Sequence, residues 1–202
     1  MCNICYFNRV RLTAQAFATH PGAIQWSWDK KEGCSGFYTA YGVALAVVEV
    51  NGLTGEFRIL KQYLQKDVGS PLNPLIDCGQ IEGGFCQGLG LLTTEEILWE
   101  RGDQLTRSSN YAVPGMVDVP AFTSVEIQKD VPNPSNVHDS KASAESPTCL
   151  ASSVFFAVKN AVRELREALG KEGGNCVDGK GNRYLRAPAP MPYRRVFELV
   201  DE

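Results

Sequence analysis

Apolar positions recur at helical spacing in the last third of the chain. Leu150, Val154, Phe155, Val158, Ala161, Val162, Leu165 and Leu169 share one face, and Gly170 supplies a stop. Ser146 as N-cap and Pro147 at the first position open this segment, which predicts a helix over 147–169. Asn73 and Pro74 open a second helix, predicted to run over 74–99. Elsewhere the period is two. Val10, Leu12, Ala14 and Ala16 alternate with polar neighbours and predict a strand over 10–17, and Trp26 and Trp28 share one parity with Ile24. Residues 43–50 are apolar on both faces and suit a central strand within a segment 37–50. Asn51, Gly52 and Gly55 then mark a hairpin loop, and the return strand covers 55–66. Thr123, Val125 and Ile127 predict a strand over 121–128, with Pro120 assigning it to an edge. Together these elements predict an α+β fold, a mixed or antiparallel sheet layered with two main helices.

Composition leaves this picture intact and removes several functions. The 202 residues are 44% hydrophobic and 21% charged, ordinary values for a globular chain. A net charge of −3 gives no footprint for nucleic acid. The apolar run around 41–48 is far too short to span a bilayer, and the start lacks a secretory pattern, so a cytoplasmic chain is expected. Seven scattered cysteines in that setting point to reduced thiols. Cys2 and Cys5 form a lone C-x-x-C without a second pair, and His20 and His138 join no cluster, so no metal ligands are assigned.

Two features carry candidate chemistry. Glycines inside the 74–99 helix each cost about 1 kcal/mol relative to Ala, so they need a reason. Gly79 and Gly83 are four residues apart, as are Gly84 and Gly88, and they line adjoining strips. Either strip could admit another backbone in tight packing, or a flat ligand. The second feature is Glu145, a carboxylate just ahead of a helix start, where the dipole favours its charged form. Such a group can act as a general base, although acids at helix starts are often only stabilising.

Three blocks add a resemblance. Ser140-Lys141-Ala142-Ser143-Ala144-Glu145-Ser146-Pro147 resembles the catalytic-glutamate signature of the xanthine dehydrogenase and aldehyde oxidase family, the molybdenum hydroxylases, which usually reads Ser-Lys-Ala-Val-Gly-Glu-Pro-Pro. Residues 72–90, containing Asn73, Pro74, Asp77, Gly79, Gln80, Glu82, Gly83, Phe85, Gln87 and Gly88, resemble the family's long glycine-rich segment. Residues 37–43, Glu49, Val50 and 54–56 resemble the strand pair before it. The resemblance implies a molybdopterin-binding domain of xanthine dehydrogenase type, with the chain as its carboxy-terminal segment. On that reading the core covers about 10–170, and 171–202 form a loop, a proline-rich arm and a short helical tail.

The resemblance also implies site residues. Glu145 matches the general base for oxidative hydroxylation of a purine, another N-heterocycle or an aldehyde. Ser70, Gly79, Gln80, Gly83 and Ala144 fall where the molybdenum cofactor would be contacted, and Lys141 matches the signature lysine. Ala144 replaces a glycine, Ser146 replaces a proline, and Ser70 stands where many relatives carry glutamine. A positive φ at Ala144 would be costly. The iron–sulfur and flavin (FAD) domains are missing, so the implied partners are the upstream half of the molybdenum domain with those domains. A homo-oligomer is the other expectation, through a glycine-rich surface left open. The alternative function is a non-catalytic folded remnant or partner-binding module derived from the same family.

Overall fold

The computed structural model describes residues 1–17, 26–33, 36–120, 123–171, 174, 176–177, 183–187 and 189–201. In chain order the elements are α1 (Cys2–Phe7), β1 (Gly42–Val50), β2 (Phe57–Lys66), α2 (Pro74–Thr93), β3 (Trp99–Glu100), β4 (Asp103–Gln104) and β5 (Thr123–Ile127). There follow a 3-10 turn (Val137–Asp139), α3 (Pro147–Leu150), α4 (Ser152–Ala168), β6 (Cys176–Val177), β7 (Arg183–Tyr184) and α5 (Tyr193–Asp201). The expected start of the 121–128 strand, Ile24, His20 and most of the glycine-rich run after Gly170 lie outside the described residues.

The main sheet has the order β1-β2-β5. β1 and β2 pair antiparallel through the expected hairpin, whereas β2 and β5 pair parallel. A parallel neighbour requires a crossover, and α2 provides it. The sheet is therefore mixed, as the α+β reading expects. β2, not β1, is the central strand: β1 is an edge whose outward residues Val43 and Leu45 are 68% and 55% exposed. Apolar residues on both parities had suggested burial on both faces. In this chain only the face carrying Ala44, Ala46, Val48 and Val50 packs against the core.

The helices layer on that face. Asn73 caps α2, its Oδ1 accepting from the N–H of Leu75 at 3.2 Å and of Ile76 at 3.4 Å. α2 ends at Thr93, six residues before the expected boundary. The Thr106 hydroxyl donates to Glu96 O at 3.0 Å and accepts from Leu98 N–H at 2.8 Å, so residues 96–98 are tied to Thr106 instead of continuing the helix. The 147–169 helix is likewise broken in two around Ala151. Its stripe Val154, Val158 and Val162 is fully buried, as the spacing predicts, at about 1.5–3 kcal/mol per side chain. Gly170, at φ +72°, ends α4; the Gly170 N–H bonds Glu167 O, and the Lys171 N–H bonds Arg166 O at 2.9 Å.

Residues 10–17 form no strand. Val10 and Leu12 are 55% and 59% exposed, and no sheet neighbour is supplied by the described residues. Alternation marks a strand only where an edge is available to pair with it. The tail reaches into the core: Leu185, Met191, Val196, Leu199 and Val200 pack with Ile81, Phe85, Val158 and Val162. Arg166, buried in α4, donates to Leu199 O at 2.5 Å, and Lys171 donates to Val200 O at 2.9 Å. These cations satisfy carbonyls at the end of α5, where a helix dipole favours positive charge.

Candidate functional site

The two glycine strips of α2 have opposite fates. A Cβ added at Gly84 would collide with Ala144 O, and one at Gly88 with Thr148 O. The backbone of 144–148 therefore lies directly on the helix, and the Thr148 hydroxyl donates to Gly84 O at 3.3 Å. Nothing lies within 4 Å of a Cβ added at Gly79 or Gly83. One strip is tight packing, and the other is an exposed surface without side chains. It borders a cavity of about 470 Å³ lined in part by Glu82, Phe85, Cys86, Met116 and Val119. Burial, with help from Glu82, pushes the Cys86 thiol up.

Glu145 is exposed at the turn that enters α3. Its carbonyl accepts from the Thr148 N–H at 3.1 Å, which draws Ser146 into the turn ahead of a helix that begins, as expected, at Pro147. Ser146 accordingly does not cap: it is itself helical (φ −63°, ψ −29°), and its hydroxyl is buried without a hydrogen-bond partner. Pro147 is buried at the first position. Ala144 is half-buried and does not adopt a positive φ, so the residue that replaces glycine fits its backbone without strain. Gln80 lies exposed one turn ahead of Gly84 on the same strip, on the side of α2 that the 144–148 turn covers.

Ser70 is exposed at a second place. Its N–H donates to Asp139 O at 2.9 Å. With Gly69, Pro71, Pro74 and residues 127–132 it lines a groove of about 550 Å³. The candidate residues thus fall in two groups, Gly79, Gln80, Gly83, Ala144 and Glu145 along α2, and Ser70 before its N-terminus.

Sequence reasoning missed the ion cluster between those groups. Lys66 and Asp67 are each 1% exposed at the end of β2. Lys141 Nζ bonds Asp67 Oδ2 at 2.5 Å, the Gly69 N–H bonds Oδ1 at 2.9 Å, and Lys66 Nζ donates to Asp67 O at 2.8 Å. Burial works to raise the Asp67 carboxyl, but the hydrogen bonds from Lys141 and from the Gly69 N–H prevail and hold it below the ordinary range. Burial pushes the Lys66 ammonium down, Asp67 opposes this, and Lys141 adds to it. A signal was present: Gln62, Leu64 and Lys66 share one parity of β2, and a lysine on an inward parity must find partners inside. Among the described residues no three His, Cys, Asp or Glu side chains gather as metal ligands, and no helix is long and apolar enough to cross a membrane.

A mixed sheet covered on one face by a glycine-rich crossover helix and a second helix, with a carboxylate at the turn between them, is an architecture with known counterparts. Residues 1–120 match the model of the molybdopterin cofactor-binding domain family, and the chain belongs to that family. It is 39% identical over 203 residues to xanthine dehydrogenase of Drosophila pseudoobscura pseudoobscura, covering 99% of this chain and 15% of that protein. It is 42% identical over 163 residues to xanthine dehydrogenase/oxidase of Rattus norvegicus, covering 80% of this chain and 12% of that one. Quinoline 2-oxidoreductase from Pseudomonas putida 86 superposes with a TM-score of 0.63 at 26% identity, over 78% of this chain and 18% of its own. The chain thus spans only 12–15% of the length of these curated relatives. The group this family holds in a complete enzyme is the molybdopterin cofactor.

Proposed function

We propose that this chain is the carboxy-terminal segment of the molybdopterin-binding domain of a xanthine dehydrogenase-like molybdenum hydroxylase, and that Glu145 is its general base. The observation that carries the reading is the placement of Glu145: it is exposed on a turn whose backbone is pressed at Gly84 and Gly88 onto α2, the helix that also carries the open strip of Gly79 and Gly83. A surface without side chains lets a flat ligand approach the helix backbone closely. The unpartnered buried hydroxyl of Ser146, next to Glu145, is a polar atom that a ligand or its water could satisfy. These features fit one wall of a cofactor site, and a second wall must come from elsewhere in the enzyme, because such sites are concave.

When bound, the molybdenum cofactor supplies the two-electron oxidising chemistry. Glu145 accepts the proton of the hydroxylating oxygen at a carboxylate oxygen and so makes that oxygen a better nucleophile toward an electron-poor carbon of an N-heterocycle or aldehyde. Gly79 and Gly83 would let the cofactor reach the helix, and Gln80 and Ala144 would help to hold it. Ser70 would contact it directly or through water, since its side chain is shorter than the glutamine that stands at this place in the resembled family. Closing the second wall over α2 removes water from around Glu145 and strengthens its interactions there. Partners on this reading are the upstream half of the molybdenum domain and the iron–sulfur and flavin domains.

Molybdenum analysis of the purified chain, alone and mixed with that upstream half, tests the proposal. Retention of molybdenum and hydroxylation by the mixture but not by the chain alone is expected. A mixture that associates yet holds no molybdenum would point instead to a non-catalytic, partner-binding remnant.

A further inference from the structure

We propose that Asp67 is a positioning residue that sets the register between residues 67–70 and residues 139–145, and so fixes Glu145 relative to Ser70. The proposal takes its purpose from the reading of Glu145 as the base; the clasp itself stands on separate observations. Asp67 is 1% exposed, and its two carboxylate oxygens accept from different segments, Oδ1 from the Gly69 N–H at 2.9 Å and Oδ2 from Lys141 Nζ at 2.5 Å. Around it the two segments lie antiparallel. The Lys141 N–H donates to Val68 O at 2.8 Å, the Ser70 N–H donates to Asp139 O at 2.9 Å, and Gly69 pairs with Ser140 as an isolated bridge. Gly69 sits at φ +67°, and a Cβ there would collide with Asp139 O, so the approach is as close as backbone allows.

A two-bond ladder of this kind is marginal by itself, and nothing in a short backbone pairing fixes its register. A buried, charge-assisted hydrogen bond is stronger than those backbone bonds, and it tolerates one alignment only. Sliding 139–141 by one residue would carry the Lys141 ammonium out of reach and leave Asp67 buried without its cation. One segment of the clasp ends at Ser70; the other runs four residues further to Glu145. Asp67 touches neither the base nor any proposed ligand, and it acts through Lys141.

Amide hydrogen exchange followed by NMR on the full 202-residue chain tests this. The main variant is the double substitution Asp67→Asn with Lys141→Met, which removes both charges of the clasp and leaves the Lys66 ammonium on the carbonyls of Tyr41 and Asp67. We expect the Lys141 and Ser70 amides to exchange at least about tenfold faster than in wild type, while the core amides of Val158 and Val162 stay within about threefold. Lys141→Arg keeps a cation opposite Asp67 and should leave both clasp amides near wild type. Wild-type protection of Lys141 and Ser70 in the double variant would overturn the proposal. So would an increase equal in clasp and core, which marks a general stabiliser, or a clasp opened by Lys141→Arg. None of these readouts depends on catalysis, so failure of the clasp and failure of the general-base reading are separate results.

Discussion

The carbonyl of Ala144 rests on the bare backbone of Gly84, so the turn carrying Glu145 and the helix α2 touch without an intervening side chain. Gly84→Ala must push that turn away. Overpacking of a rigid contact typically costs about 1–3 kcal/mol, and a backbone carbonyl cannot rotate aside. Gly79→Ala and Gly83→Ala meet nothing within 4 Å and should stabilise the chain by about 1 kcal/mol through helix propensity. Urea midpoints of the three variants should therefore separate in opposite directions. If the open strip receives the cofactor, the two stabilised variants should also hold less molybdenum in the assembled enzyme.

Arg166 links α4 to the end of the chain. Arg166→Met removes the donor to Leu199 O and leaves a buried carbonyl short of a partner, at about 1–3 kcal/mol. Because Val196, Leu199 and Val200 of α5 belong to the core, loosening that end should expose the Arg194 and Arg195 bonds. Trypsin should cleave the variant there well before wild type; equal cleavage rates would show that α5 is held without the Arg166 bond.

Much of this arrangement was legible in the residues. The stripe Val154, Val158, Val162 and the Asn73-Pro74 start follow from period and capping chemistry, which act within a few residues. The errors at 10–17, at the end of α2 and on the standing of β1 have another origin. Whether an alternating segment pairs, and whether a strand is central, depends on neighbours that no local pattern specifies. The Thr106 hydroxyl that redirects residues 96–98 is such a neighbour. At the site, Glu145 was found through a motif, but the division of the glycines into a packed strip and an open one required the position of Ala144 and Thr148. The Asp67–Lys141 pair joins residues 74 apart and is invisible to any local spacing.

Lys66 and Asp67 make stability depend on pH with the same sign. Asp67 titrates below its ordinary 3.8, so its contribution is complete above that value and is lost as pH falls through the folded-state value. Lys66 titrates below 10.5, so the cost of its buried ammonium is fully present below the folded-state value and vanishes as pH climbs to 10.5. In both windows the unfolded chain binds more protons, and stability rises with pH. Cys86, Tyr111 and Tyr193 are shifted upward and act the other way, so the informative quantity is a difference. Wild type should gain stability relative to Lys66→Met between neutral pH and about pH 10. A constant difference across that range would mean that the ammonium is not desolvated.

The general-base role of Glu145 is best tested by single-turnover hydroxylation in the assembled enzyme carrying Glu145→Gln. Because the side chain is exposed, the substitution should leave chain stability within about 0.5 kcal/mol of wild type. Molybdenum content should be unchanged, while the hydroxylation rate falls by about 10²–10⁴-fold, the usual worth of a positioned base. Turnover at the wild-type rate with molybdenum fully retained would contradict the account.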